Sequence, residues 1–447
     1  MPTTITTLAL RGTSAVPVHA VCAIEPGMPA ITVIGCNCAA EVAATARCAI
    51  RSAGFTVPRA RVVVQLDPTE IARSVTQASY PLAVTVAILV ESGQVPPLPE
   101  DVIVHGSLSI DGTILPMRGD RAVRLLAREQ GLRTLAIEGL RALRHPAFDE
   151  PALPDAPTVD NDAIAVSALT RLPESLARLA AVAAVGHHDV LLVGRDAPLA
   201  AFARAVTTLM GPLDAHEAME VAVAHNACDL SVPEGRPVRF PHHSITLAGM
   251  VGGGRPVMPG EVTLADHGVL ALADLPLFSP RVLDAVRVAH DDGMSRIVRV
   301  EGITGMPARF VLVSSTAPCP CGHLGDPDCE CSCSPEAIRA WRERVPGHLN
   351  FDIVVDVPVA SGQRDLVDER DARRLVGALE QARVASAAWP GEQDAVEALE
   401  AGARRLSLSD RARGSVSRVA RSLAALDGAG LVGLDHVLEA LSFAPRV

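Results

Sequence analysis

The stretch "GVLALADLPLF", Gly268 to Phe278, decides how the middle of the chain is built. Val269, Leu270, Ala271 and Leu272 form an unbroken apolar run, the pattern of a strand buried on both faces of a parallel sheet. A metal-dependent hydrolase would end such a strand in an acidic pair, one carboxylate holding the metal and one priming a water. This strand ends in Ala273 and Asp274. Two further runs of the same kind flank it. "HDVLLVG" (His188 to Gly194) lies before it and leads into a helix-compatible run from Leu199; "RFVLVSSTAP" (Arg309 to Pro318) lies after it. Strands alternating with helices predict a parallel α/β core.

The composition supports that class. Hydrophobic residues make up 49% of the 447 residues but aromatics only 2%, so the cores are built mainly from Ala, Val and Leu. The length predicts two to four domains at roughly 100–200 residues each. The net charge of −11 argues mildly against broad electrostatic binding to nucleic acid, while leaving room for a local basic pore within that average. All 40 basic residues are arginine, because the sequence contains no lysine. A phosphate-loop lysine, a Schiff base and a Ser-Lys dyad are therefore excluded. The longest apolar run, "YPLAVTVAILV" (Tyr80 to Val90), is about half of the ~20 residues that span a bilayer. "MPTTITTLALRG" has no basic segment followed by an apolar one, so no signal peptide is expected and a cytoplasmic location is the default. The ten cysteines then read as reduced thiols or metal ligands.

Residues 1–140 also alternate strands and helices. "AITVIG" and "ARVVVQL" are β-branched runs. "DPTEIARSV" predicts a helix with Asp67 as N-cap, Pro68 at the first helical position and Glu70 closing a capping box. "VHGSLSIDGTI" predicts a hairpin around Asp111-Gly112, and "DRAVRLLAREQG" an amphipathic helix stopped by Gly131. Residues 146–160, rich in Pro and Asp, read as a linker. "ESLARLAAVAAVG" opens a second unit as a helix. "SPEAIRAWRERV" predicts another, with Ser334 as N-cap and Pro335 in the first turn, and "NFDIVVDVPV" a closing strand. From about Ser361 the chain reads as helical to its end, with breaks at "WPGE" and "DGAG".

Long motifs in this order resemble the magnesium-chelatase-like AAA+ proteins of the ComM/YifB type. They are "RFPHHSITLAGMVGGGRPVMPGEVTLADHGVL", "PARFVLVSSTAPCPCGHLGDPD" and "SRVARSLAALDG" followed by "LDHVLEAL"; in the first unit they are "IRSAGFTVPRARVVVQLDPTEI", "ESGQVPP" and "HGSLSIDGTILPMRG". The resemblance implies three domains. Residues 1–150 would form an α+β domain like that of Lon protease (ribosomal-protein-S5-like), 170–360 an AAA+ P-loop-type α/β core, and 361–447 a C-terminal helical lid. It also implies ATP-dependent hexameric rings that move branched DNA in recombination and natural transformation.

Where the resemblance expects a nucleotide site, the chain departs from it. The loop after "LLVG" keeps Gly194 but continues "RDAPLAAFARAV". Pro198 supplies no N–H, and Ala200 or its neighbour stands where a lysine would be. Arg195 reads as a solvated loop arginine that would meet phosphate only as an alternative. The metal-holding Asp and catalytic Glu correspond to Ala273 and Asp274; Asp274, one methylene shorter than Glu, would position a water or else serve as a capping or surface residue. A sensor Asn before Pro-Cys-Pro corresponds to Ala317. An arginine finger corresponds roughly to Asn350 in "GHLNFDI". The segment expected to cradle adenine is missing before "ESLARL", and only Arg411 fits a lid arginine, or is an ordinary helix-surface charge. Removal of one preorganised group typically costs about 10²–10³ in rate. Missing lysine, metal acid, sensor and finger together predict no ATP hydrolysis and no resident ATP or magnesium. The Lon-like domain likewise shows no protease site, and Ser74 and Ser79 read as capping or packing serines.

The expected role is a non-hydrolysing scaffold or regulatory subunit. It would sit in a homo- or hetero-oligomeric ring with an intact homologue, with DNA contact implied by the family and no membrane partner. The alternative is a branch-migration motor that uses atypical groups. "CPCGHLGDPDCECSC" supplies Cys319, Cys321, Cys329, Cys331 and Cys333, enough thiols to converge on a structural Zn²⁺. His323 reads as exposed on the intervening turn. Cys22, Cys36, Cys38, Cys48 and Cys228 read as scattered buried thiols. His242 and His243 of "PHH" read as packing or interface residues.

Overall fold

A computed structural model describes residues 2–74, 78–150, 161–195, 197–300, 302–344, 349–357, 366–384, 388–389 and 391–444. The first unit holds strands β1 (Thr3–Arg11), β2 (Ser14–Glu25), β3 (Ala30–Ile34), β4 (Arg61–Asp67), β5 (Val102–Ile103), β6 (Ser107–Leu108), β7 (Ile114–Leu115), β8 (Arg133–Leu135) and β9 (Phe148–Asp149). Its helices are α1 (Ala39–Ser52), α2 (Thr69–Ser74), α3 (Tyr80–Glu91) and α4 (Asp120–Glu129). Seven strands make one mixed sheet in the order β3-β4-β2-β1-β5-β8-β9, and β6 pairs with β7. Along β4, Val62, Val64 and Leu66 are buried while Arg61, Gln65 and Asp67 are exposed, so one face meets α1 and α3 and the other meets solvent. The predicted hairpin is present: the Asp111 carboxylate accepts from the Thr113 N–H at 2.9 Å, and Gly112 takes φ 91°.

Two expectations in this unit are corrected. Asp67 does not cap a helix; it is the last residue of β4, paired with His19, and the helix begins at Thr69, whose hydroxyl bonds the Leu66 carbonyl. Part of the supposed linker is strand, because Phe148 and Asp149 pair with Leu135 and Thr134 at the sheet edge. Phe148 is held there by packing on the first core and by the Arg133 guanidinium 5.2 Å from its ring. The rest of that linker, 151–160, lies outside the described residues, as do the side chain of Ser74 and residues 361–365. Ser79 is buried and accepts from the Thr7 hydroxyl, a packing role.

The second unit runs α5 (Asn161–Leu169), α6 (Glu174–Gly186), β10 (Val190–Val193), α7 (Leu199–Leu209), α8 (Ala215–Ala227), β11 (Val238–Arg239), α9 (Leu247–Val251), α10 (Glu261–Leu264), β12 (Val269–Leu272) and α11 (Pro280–Asp292). It continues with the hairpin β13 (Met294–Arg299) and β14 (Gly302–Pro307), then β15 (Val311–Thr316), α12 (Pro335–Glu343) and β16 (Ile353–Asp356). Its sheet is wholly parallel, in the order β11-β12-β15-β10-β16. The quoted opening run is β12, and all four of its residues are buried. Ala and Val of α6 and α7 cover one face; α11, with Leu275 and Phe278, covers part of the other. The result is an AAA+-type α/β core.

The C-terminal helices α13 (Glu369–Val384), α14 (Gln393–Arg405), α15 (Asp410–Leu426) and α16 (Leu434–Ser442) pack on α5 and α6 and share their core. The first and second units join through α4 on α8, where Val123, Leu126, Met219 and Val223 form one cluster with Leu8 and Leu10. No helix among the described residues is long and apolar enough to cross a membrane.

Candidate functional site

In a parallel sheet, ligands sit at the carboxyl ends of the strands, where loops and helix N-termini present N–H groups. Here the ends of β10, β15 and β12 are neighbours. At β10 the Gly194 N–H bonds the Thr316 carbonyl at 2.9 Å, so it extends the sheet rather than facing a ligand. A Cβ on Gly194 would lie 2.5 Å from the Val357 carbonyl oxygen, so close packing by itself requires the glycine. The loop then tightens on itself: Ala197 N–H bonds the Gly194 carbonyl and Leu199 N–H bonds the Ala197 carbonyl. Pro198 precedes α7 without a side-chain cap, and Leu199 and Phe202 turn into the core.

At the end of β12, Ala273 and Asp274 are exposed. Asp274 adopts the left-handed conformation (φ 53°, ψ 56°), donates its N–H to Ser315 Oγ at 3.4 Å and starts the short turn Leu275–Leu277. Aspartate tolerates that conformation better than most residues, which gives Asp274 a turn-forming role. After β15, the carbonyl of Ala317 accepts from Trp341 Nε1 at 2.8 Å. The position expected to carry a sensor side chain is thereby tied down through its backbone.

Arg411 does not join this corner. Its guanidinium donates to Asp291 at 3.1 Å and, with the Asn350 amide oxygen turned toward it, to that oxygen at 3.1 and 3.2 Å. Asp291 lies in the last turn of α11, beside His290, which contacts Asp189 just before β10. Arg411 thus stands by the amino ends of the strands, opposite the Gly194 loop. It lines a groove of about 790 Å³ that runs along β10 and β16 and reaches Thr316 and Ala317 at the carboxyl end of β15, with Leu191, Val193, Val354, Trp341 and Phe443 in its walls but neither Gly194 nor Asp274. Asn350 partners Arg411 within the chain.

The cysteine loop converges. The Sγ atoms of Cys319, Cys321, Cys331 and Cys333 all lie within 4.8 Å of one another. Three of the separations are 3.5, 3.6 and 3.6 Å. A tetrahedral zinc with Zn–S of about 2.3 Å requires S···S of roughly 3.8 Å, so the donor set fits a four-thiolate metal. Cys329 is exposed and stands outside the converging four. The N–H groups of His323 and Ser332 hold the Cys321 thiol down to about 5, while burial and the neighbouring thiols push Cys331 and Cys333 up. His323 is not free on the turn: its Nδ1 lies 2.9 Å from Arg195 Nη1 and 3.2 Å from Asp326 Oδ2. Arg195 therefore leans over the cysteine loop, where the sequence suggested solvent. Cys36 and Cys38 pack at the edge of the first core, and Cys48 is exposed. His243 meets Phe278 edge-on at 6.4 Å, which places the "PHH" loop over the turn after β12.

Two polar networks escaped the sequence reading because their members are far apart along the chain. Arg309 bridges Asp266 (2.9 Å) and Glu220 (2.7 Å), and Glu220 also meets His267 at 2.7 Å. Asp352, before β16, accepts from Ser415 and Arg418 of α15 and faces His188, whose other nitrogen is 2.8 Å from Ser422. Ser422, His188 and Asp352 have the connectivity of a nucleophile triad. Ser422 and His188 are buried, however, and the Ser422 hydroxyl also bonds the Arg418 carbonyl. The set fastens α15 to the starts of β10 and β16.

Residues 172–365 match the family described as magnesium chelatase, subunit ChlI; residues 21–138 match subunit ChlI of Mg-chelatase, and 362–444 its C-terminal part. The YifB protein of Salmonella typhimurium is 27% identical, over 98% of this chain and 96% of its own length. Protein Rv2897c of Mycobacterium tuberculosis is 28% identical, over 98% and 97%. The competence protein ComM of Haemophilus influenzae is 30% identical over 60% of this chain and 58% of its own. With these matches laid over both sheets and the helical C-terminus, the chain belongs to the ComM/YifB family of magnesium-chelatase-like AAA+ proteins.

Proposed function

We propose that this chain is a non-hydrolysing member of its family, a scaffold or regulatory subunit that joins a ring with an intact homologue. The name of the relative ComM links that ring to competence, and the family resemblance to recombination of branched DNA. The observation that carries the reading is the closed loop after β10. Its glycine N–H is taken up by Thr316, a proline follows, and no lysine exists anywhere in the chain. A phosphate needs several convergent N–H groups and a cation facing it; among the described residues of this loop the Gly194 N–H is spent on Thr316, Pro198 has no N–H, and the Arg195 guanidinium is turned to His323 on the cysteine loop. The exposed Ala273 and Asp274 supply no metal-holding pair. A zinc ion held by Cys319, Cys321, Cys331 and Cys333 is structural in this reading, because four sulfurs leave no open position for chemistry.

The test is ATP titration and phosphate release with the purified chain, followed by sizing with and without an intact homologue. The expected outcome is no turnover above background and a mixed assembly. Turnover that disappears in Arg195→Ala or Asp274→Asn would replace this reading with that of a motor.

A further inference from the structure

The loop after β10 retains an arginine that the nucleotide reading leaves without a task. Arg195 crosses to the cysteine loop, where its Nη1 lies 2.9 Å from His323 Nδ1 and 3.7 Å from Asp326 Oδ2. Asp326 is the unusual partner. Its side chain is only 2% exposed, although it sits on a surface loop. It accepts the Asp328 N–H at 2.9 Å and contacts His323 at 3.2 Å, so it closes the turn between the two cysteine pairs. Gly322 stands directly under the arginine. It has φ 81°, and a Cβ there would be 3.0 Å from Arg195 Cδ. The arginine stem therefore lies flat against the backbone that directly follows Cys321.

We propose that Arg195, with Asp326 and His323, is a positioning set for the metal held by Cys319, Cys321, Cys331 and Cys333, so that the loop corresponding to a phosphate loop serves as the outer wall of a metal site. This rests on the zinc reading above. The physical reason is charge and geometry. Four thiolates around a divalent ion carry a net charge of −2, which a nearby guanidinium offsets. The turn from Gly322 to Asp328 must also hold the two cysteine pairs at one separation. Groups that orient metal ligands from outside typically change metal affinity by 10–100-fold when removed. Arg195 is an outer-sphere residue here and touches no metal.

The experiment is zinc competition with a colorimetric chelator, together with the cobalt(II)-substituted spectrum, on the full-length wild type, Arg195→Ala, Arg195→Lys, Asp326→Asn and the control Arg342→Ala. Arg342 is exposed on α12 and leaves the four thiols untouched. Expected are one zinc per wild-type chain, 10–100-fold weaker binding in Arg195→Ala and Asp326→Asn, partial recovery in Arg195→Lys, and no change in Arg342→Ala. The intensity of the cobalt d–d bands should fall in the first two variants as the tetrahedron loosens. Melting temperatures of the metal-free proteins should agree, which separates a positioning role from general destabilisation. Wild type that binds no stoichiometric zinc overturns the zinc reading and this proposal together. Wild type that binds zinc while both variants stay within twofold overturns this proposal alone. Unchanged metal affinity with loss of ATP binding in Arg195→Ala assigns the arginine to nucleotide instead.

Discussion

The carboxyl ends of β10 and β15 are adjacent in one sheet, yet the loops that leave them are organised for different purposes. The loop after β10 folds onto itself: its glycine N–H goes to Thr316, and its glycine Cα faces the Val357 carbonyl. The loop after β15 turns outward and brings four thiols to within 4.8 Å of one another. The two are connected through Arg195. The comparison teaches that a strand end keeps its shape for packing reasons even where it lacks every group its chemistry needs. A cluster of ligands, by contrast, has meaning only if its side chains converge.

Four substitutions break or sharpen that contrast. The largest effect belongs to the cysteine loop. Cys319→Ser, at a fully buried thiol, should take bound zinc from about one equivalent to near zero by elemental analysis and lower the melting temperature. Structural zinc binding is worth roughly 10–16 kcal/mol in small peptides, although a sheet that is already folded will lose only part of that. Next is Gly194→Ala. A collision with a backbone carbonyl should cost about 1–3 kcal/mol in urea denaturation, without any change in ATP binding. Retained stability together with lost nucleotide binding would instead mark Gly194 as a ligand-binding residue.

The third is Asp352→Asn, which should cost about 2 kcal/mol at pH 7 because charge-assisted bonds to Ser415 and Arg418 are lost. Desolvation raises the Asp352 carboxyl. Hydrogen bonds from His188 and Ser415 and the Arg418 charge outweigh it and hold the group below the ordinary carboxylate range. A depressed folded-state value stabilises the fold above the unfolded value of about 3.9 and is lost as pH falls below it. The gap between wild type and variant should therefore be full at pH 6 and shrink below pH 4, as read from denaturation midpoints. The smallest effect is expected at Asp274→Asn, within about 0.5 kcal/mol, since asparagine shares the tolerance for left-handed backbone. A measurable change in phosphate release would overturn its assignment to the turn.

Much of the fold was legible from the residues. The runs at Val190–Val193, Val269–Leu272 and Val311–Thr316 are apolar throughout because a parallel strand is covered on both faces, and that pattern needs no partner to be recognised. Ser334 as N-cap and Gly131 as helix stop are equally local, and both were correct. The failures were also local in form. Asp67-Pro68 looks like a helix start, but its backbone is claimed by pairing with β2, which no window of sequence displays. Phe148 and Asp149 look like linker until β8 offers them an edge.

The sequence by itself determined what chemistry is missing. A chain without lysine has no phosphate-loop lysine, and Ala273 and Ala317 offer no side-chain ligand for a metal or phosphate in any fold. Such absences depend on residue identity alone. Tertiary structure decided what the remaining groups do. It chose Cys319, Cys321, Cys331 and Cys333 over Cys329, moved Arg411 to Asp291 at the far end of the strands, and turned Arg195 toward His323 and Asp326. Each of these depends on contacts between residues more than 100 positions apart, or on which way a short loop turns. Side-chain reach is a few ångströms, so only the packed chain specifies them.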